Sequence, residues 1–440
     1  MRFAAIPPEP SRPSGDMTRS HRPPPAEPSA DLPLAKGSAG YRRLTLAMLF
    51  AGFSTFSLLY AVQPLLPLFA RDYGLSAEGS SLAVSLATGP LAIGILVAGF
   101  VSDRIGRRPL MIAAMFAAGL LTLAVAVAPG WYALLALRLL TGLALAGVPA
   151  VAMAYVSEEV DVASVGSAMG LYIGGSGLGG MGGRLVASVV ADLAGWRWAL
   201  AVVGLGGLAM AEAFRRLAPP SRRFVAGTGG LGAVVGAVRP LFADPGLRLL
   251  YMESFLVMGI FVTIFNYVGF HLLGAPYHLS QATVGAIFLI YILGSISSAW
   301  FGGLAGRVGR RQIFPIPVAV ILIGVALSAA RPLVAVIAGI AIVTIGFFGA
   351  HSIASSWVGR RGAAARGQAA AWYLFFYYAG SSVLGTAGGI AWTRGGWPGV
   401  SLYCGGLALA ALIGAAMLIR VKPVAVEPQD GPTIPILPEG

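Results

Sequence analysis

"GFVSDRIGRRPL" (Gly99–Leu110) packs one carboxylate and three arginines, Asp103, Arg104, Arg107 and Arg108, between two long apolar runs. Such a knot stands out because only 11% of the 440 residues are charged, while 57% are hydrophobic. A water-soluble fold has no use for that much apolar surface, so the solvent for most of this chain is a bilayer. Basic residues outnumber acidic ones 30 to 17, a net charge of +13. In a soluble protein that excess points to nucleic acid. Here the arginines lie between apolar runs, with no aromatic interleaving on a polar face, so nucleic acid is excluded and membrane orientation explains them. The single cysteine, Cys404, sits in an apolar run; it makes no internal disulfide and reads as a packing residue.

Working outward from the knot, apolar segments of spanning length recur twelve times. They cover residues 44-66, 81-101, 110-129, 132-153, 165-190 and 198-217, then 247-270, 281-302, 313-330, 332-354, 368-391 and 398-420. With the N-terminus inside, fifteen arginines fall in the inner loops, against Arg71, Arg197, Arg331 and Arg394 outside. Short basic loops stay in the cytoplasm, so both termini are expected there, in a multi-pass protein of a bacterial-type inner membrane. Residues 1-40 are rich in Pro and Ser and carry no signal-peptide core; they read as a disordered cytoplasmic tail, with a second tail at 421-440.

The knot is also half of a repeat. "GFVSDRIGRR" from Gly99 aligns with "GGLAGRVGRR" from Gly302. Tyr73–Ser76 aligns with Tyr277–Ser280, and "GWRW" from Gly195 with "GWPG" from Gly396. Three landmarks about 200 residues apart indicate duplication. The expected fold is an all-α membrane protein of twelve transmembrane helices in two six-helix pseudo-symmetric halves. The first bundle is 41-217, the cytoplasmic linker 218-246 and the second bundle 247-420. Parallel halves of this kind place a binding site at their interface near mid-membrane and expose it alternately to each side, the architecture of a secondary transporter.

These features resemble the major facilitator superfamily over Tyr41 to Lys422. Gly99, Asp103, Arg104, Gly106, Arg107 and Arg108 match its motif between helices 2 and 3. "LLYAVQPLLP", "YVSEEV", "MGLYIGGSGLGGMGGRL", "TIFNYVGF" and "AHSIASSWVG" are similar to its acriflavine-sensitivity (YnfM-like) branch, grouped with proton-coupled drug exporters. The resemblance implies that Asp103 is a gating carboxylate facing the N-terminal dipole of helix 11, which begins near Gly367. It also implies that helix 7 lines the cavity. The glycine-rich stretch in helix 5 holds the place of the exporters' helix-5 motif but lacks its proline, so exporter behaviour does not transfer directly.

Candidate site residues follow from charge inside the membrane, which is costly and functional by default. Asp103 needs a partner, and Arg104 and Arg107 are near enough to supply one. Glu158, Glu159 and Asp161 in the next inner loop are candidate gating partners of Arg107 and Arg108; otherwise they serve the start of helix 5. In the later copy of the knot Gly306 replaces the carboxylate, so the same ion pair is not expected there. Arg138 and Arg184 lie deep in helices 4 and 5, either lining the cavity or snorkelling to the outer headgroups. Glu253 on helix 7 is the first candidate for proton coupling, with Asp103 as the alternative; Glu212 reads as reaching water. Gln63, Asn266, Tyr60 and Tyr377 are uncharged cavity candidates, and His351 reads as a packed, hydrogen-bonded residue. Gly175–Gly180 fits G-x-G-x-x-G, but no strand precedes it, and small residues there suit close helix packing.

The expected activity is alternating-access export of small amphipathic or drug-like compounds, powered by the proton gradient, by a monomer with no cofactor and no metal. The alternative is proton-coupled transport of a sugar or organic anion. A non-transporting membrane sensor or enzyme would need a soluble domain or a catalytic constellation. The chain carries no metal-ligand spacing, nucleophile triad or Walker loop, so it is not read as an enzyme.

Overall fold

The computed structural model describes residues 32–224 and 231–422. The expected terminal tails therefore lie mostly outside the described residues. Where the N-terminal tail is described, it is not free: Leu34 forms an isolated bridge with Val160, and its backbone bonds Glu159 and Asp161.

Serine and aspartate caps start several helices. Ser38, Ser76, Asp244 and Ser280 each accept a backbone N–H from the first turn that follows. In chain order the first half comprises α1 (Ala39–Tyr73), α2 (Ala77–Ile105), α3 (Arg107–Ala126), α4 (Trp131–Glu159), α5 (Val165–Ala194) and α6 (Trp196–Leu217). A linker helix, Leu231–Ala243, precedes α7 (Pro245–Leu273), α8 (Gln281–Val308), α9 (Arg310–Ser328) and α10 (Leu333–Arg361). The last stretch, Arg366–Arg420, breaks at Gly395 and Gly396 into α11 (366–395) and α12 (396–420).

Among the described residues, ten helical stretches are long and apolar enough to cross a membrane. The Gly395–Gly396 break divides one of them in two, and α5 falls short because nine glycines and Arg184 dilute its apolarity. The passes thus number twelve. The repeat landmarks recur as backbone geometry. Gly106 and Gly309, in the two copies of the knot, have φ of +91° and +122°. Gly195 and Gly396, before the paired tryptophans, have φ of +85° and +56°. Side chains rarely adopt those values, which explains glycine at each turn.

Packing is mainly within each half: α1 lies on α5 and α6, α2 on α4, and α3 on α4 and α6. In the second half α7 packs on α11 and α12, and α10 on α8 and α9. Across the middle, α2 lies on α11 and the start of α8 on α5. Gly175, Gly179 and Gly183 run along α5 where any Cβ would strike Leu49, Phe53 and Ser57 of α1. That is the close-approach role expected of the glycine-rich stretch.

Candidate functional site

The arginine-rich end is organised by Arg107, whose guanidinium is almost fully buried. Its Nε and Nη2 donate to Glu158 Oε1 at 3.0 and 2.9 Å, while Nη1 donates to Asp103 and Ser102. Asp103 therefore finds its partner four residues on, across the Gly106 turn. Arg104 lies over the Phe100 ring, 4.3 Å from its centroid, rather than on Asp103. Arg108 donates to the carbonyls of Ala218 and Arg215, tying α3 to the end of α6. Glu159 accepts the backbone N–H of Arg223, and the Asp161 backbone pairs with Leu34, so of the three inner-loop acids only Glu158 meets Arg107.

The second half solves the same end differently. Arg310 donates to Ser356, and Arg361 forms a two-pronged pair with Asp244 at 3.0 and 2.8 Å. Burial pushes the Asp244 carboxyl up, but the Arg361 guanidinium and the Leu247 N–H together hold it below the usual range.

At the centre, α1 loses regular helix: Pro64 sits within a 3-10 turn at Gln63–Leu65, and Pro67 follows two residues beyond it. Gln63 there donates from Nε2 to Asn266 Oδ1 of α7 at 2.7 Å, between residues 203 positions apart. That is the repeat spacing, so two equivalent residues meet on the pseudo-two-fold axis. Gln63 Oε1 in turn accepts from Arg184 Nε of α5 at 2.7 Å. Arg184 also donates to the Gly180 carbonyl and lies over three rings, Tyr60 at 4.4 Å and Phe288 and Tyr291 at 5.2 Å. Four sequence candidates, Tyr60, Gln63, Arg184 and Asn266, thus converge.

Glu253 is on α7, 1% exposed, with no hydrogen bond to Oε2 among the described residues. It shares a small cavity with His351, Tyr373 and Tyr377, and the Tyr373 hydroxyl bonds His351 Nδ1 at 2.9 Å. Glu212 is accounted for by ion pairs to Arg215 and Arg216.

The sequence profile of the Major Facilitator Superfamily matches residues 48–385. The chain belongs to this superfamily. Superfamily members similar to it include the inner membrane transport protein YnfM of Escherichia coli K12, 42% identical over 387 residues, covering 88% of this chain and 93% of that one. The MFS-type transporter YybF of Bacillus subtilis 168 is 41% identical, over 83% and 91% of the two chains. Among solved structures, the nucleoside transporter NupG superposes with a TM-score of 0.70 at 15% identity, over 85% of this chain and 99% of that one. At that identity the likeness shows the fold. The protein is a multi-pass membrane transporter of the major facilitator type, not an enzyme.

Two further candidate residues take the following places. Arg138 does not face a cavity: at 0% exposure its Nε donates to the Ala83 carbonyl at 2.9 Å and its Nη atoms to the Leu58 and Leu59 carbonyls. All three nitrogens are occupied in clamping α4 to α1 and α2, which makes it a structural strut. Asp103 makes no hydrogen bond to the start of α11 among the described residues; its partner is Arg107. Phe288, Tyr291, Ser102 and Asp244 were missed as site residues. The repeat spacing of Gln63 and Asn266 was the available signal for the centre; aromatics within an apolar span carry none.

Proposed function

We propose that this transporter is a proton-coupled exporter of small amphipathic compounds, working as a monomer by alternating access. It sits in a bacterial-type inner membrane with both termini cytoplasmic, as the arginine distribution supports. Export follows the branch of the superfamily that the sequence resembles. The observation that carries proton coupling is Glu253. It is buried on α7 beside a cavity, and no Lys or Arg pairs with it among the described residues. The counter-charge left to such a carboxyl is a proton, taken up and released as the cavity gains and loses water. The two six-helix halves, 41-217 and 247-420, move as lobes about the Gln63–Asn266 axis, and the Arg107 cluster serves the gate at the arginine-rich end.

The test is flux in proteoliposomes under an imposed pH gradient, with a cationic dye, a sugar and an organic acid as substrates. Glu253→Gln should lower gradient-driven flux by about tenfold or more while substrate exchange without a gradient persists. A variant that responded to the gradient like wild type would pass the proton to Asp103. A second reading, transport of an organic anion, is favoured by Arg184, which no carboxylate neutralises among the described residues.

A further inference from the structure

Besides Arg107, two arginines are buried in the first half, and they are held in opposite ways. Arg138 gives each of its three nitrogens to a backbone carbonyl. Arg184, 3% exposed, places Nε on Gln63 and Nη1 on Gly180, and no hydrogen bond reaches its Nη2 among the described residues. A guanidinium keeps its proton at any physiological pH. The three rings around Arg184 offset part of its charge. None of them removes it.

The arginine also dictates the polarity of its surroundings. Being a donor only, it requires Gln63 to present Oε1, which turns Gln63 Nε2 toward Asn266 and fixes Asn266 Oδ1 as the acceptor. The chain therefore ends on a donor, Asn266 Nδ2, which has no partner. Tyr291 Oη, on a ring that flanks the cation, is also buried without a partner. Buried polar groups of this kind are rare because leaving them unpaired is costly. Here they surround an unneutralised cation, and what satisfies all of them together is a ligand that brings negative charge and acceptors.

We propose that this cluster binds a substrate carboxylate, and that the substrate class is small aromatic monocarboxylates. The carboxylate occupies Arg184 Nη2, the ring lies among Tyr60, Phe288 and Tyr291, and a ring oxygen takes the Asn266 Nδ2 donor. One carboxylate is specified because one arginine has a nitrogen without a partner; each nitrogen of Arg138 is already on a backbone carbonyl, at 0% exposure. This rests on the transport reading above and adds the substrate to it.

The test is calorimetric titration of the purified full chain with 4-hydroxybenzoate, its neutral analogue 4-hydroxybenzamide, and tetraphenylphosphonium. Wild type should bind the acid saturably, with the amide and the cation weaker by about tenfold or more. Arg184→Lys, which keeps charge but loses the planar fork, should weaken the acid by about tenfold. Gln63→Glu sets a carboxylate against Arg184 from inside and should abolish acid binding while the fold gains an ion pair, so the test stands even where an Arg184 variant misfolds. Equal binding of acid and amide, acid binding unchanged in Gln63→Glu, or no saturable binding of the acid by wild type would overturn the proposal. Acid binding that disappears in Gln63→Glu, with no flux response to a pH gradient, would overturn proton coupling and leave this site standing. Gradient-driven flux in wild type together with acid binding that survives Gln63→Glu would do the reverse.

Discussion

Arg107 and Arg361 close the same end of their respective halves with opposite charge logic. In the first half Glu158 is the acid that meets Arg107; at the repeat spacing the second half has Arg361, so the acid must come from elsewhere. It comes from Asp244, the cap of α7. Because the folded carboxyl titrates below its unfolded value, its stabilising effect is complete above about pH 4, the unfolded value. That effect is lost as pH falls through the lower folded value. The melting temperature of wild type should therefore exceed that of Asp244→Asn at pH 7, with the gap closing in acid below about pH 4. A gap that persisted undiminished at pH 3 would show that the ion pair contributes nothing. At this scale the sequence was only partly legible. Asp103 and Arg107 were readable as partners because only four residues separate them. Arg361 and Asp244 were not, because 117 residues separate them and neither belongs to a repeated motif.

Among elements, α5 shows how composition and contact divide the work. Its hydropathy is too low to declare a span, yet its glycines are what allow it to lie against α1. Gly179 faces the Phe53 backbone, whereas a side chain at Gly174 would meet open space. Gly179→Val should cost about 1–3 kcal/mol by forcing the two helices apart. Gly174→Ala should leave thermal stability in detergent close to wild type, and equal losses in both variants would refute the contact. Contacts between helices also decide what depth in a span leaves open for Arg138. Hydropathy places a charge within a span but says nothing about which carbonyls an adjacent, proline-disturbed helix turns toward it.

For the whole molecule, the side-chain hydrogen bonds between halves among the described residues are unevenly distributed. Gln63 reaches Val262 and Asn266, Gln281 reaches the Pro64 carbonyl, Ser85 bonds Thr386, and Ser382 bonds the Ser85 carbonyl. All lie at the centre or toward the end away from the arginines, where the halves are zipped. The Arg107 and Arg361 clusters bond within their own halves. Interhelical hydrogen bonds in membranes average about 0.6 kcal/mol each, so the zipper can part thermally. Oxidative cross-linking of the double variant Ser85→Cys/Thr386→Cys should hold it shut, lowering flux by about tenfold or more until reductant is added. The native thiol, Cys404, is fully buried and leaves a clean background. Undiminished flux through the cross-linked protein would rule out opening at that end. Duplication, pass number and the interface location were legible because they are written in period and hydropathy. Which end is shut was not, because one sequence serves both states.

Gln63 stays clasped to Arg184 on its own side, so when the lobes separate it is Asn266 that is cut loose. Opening that entrance therefore breaks one amide–amide bond at mid-membrane and leaves a donor, Gln63 Nε2, and an acceptor, Asn266 Oδ1, each in need of another partner.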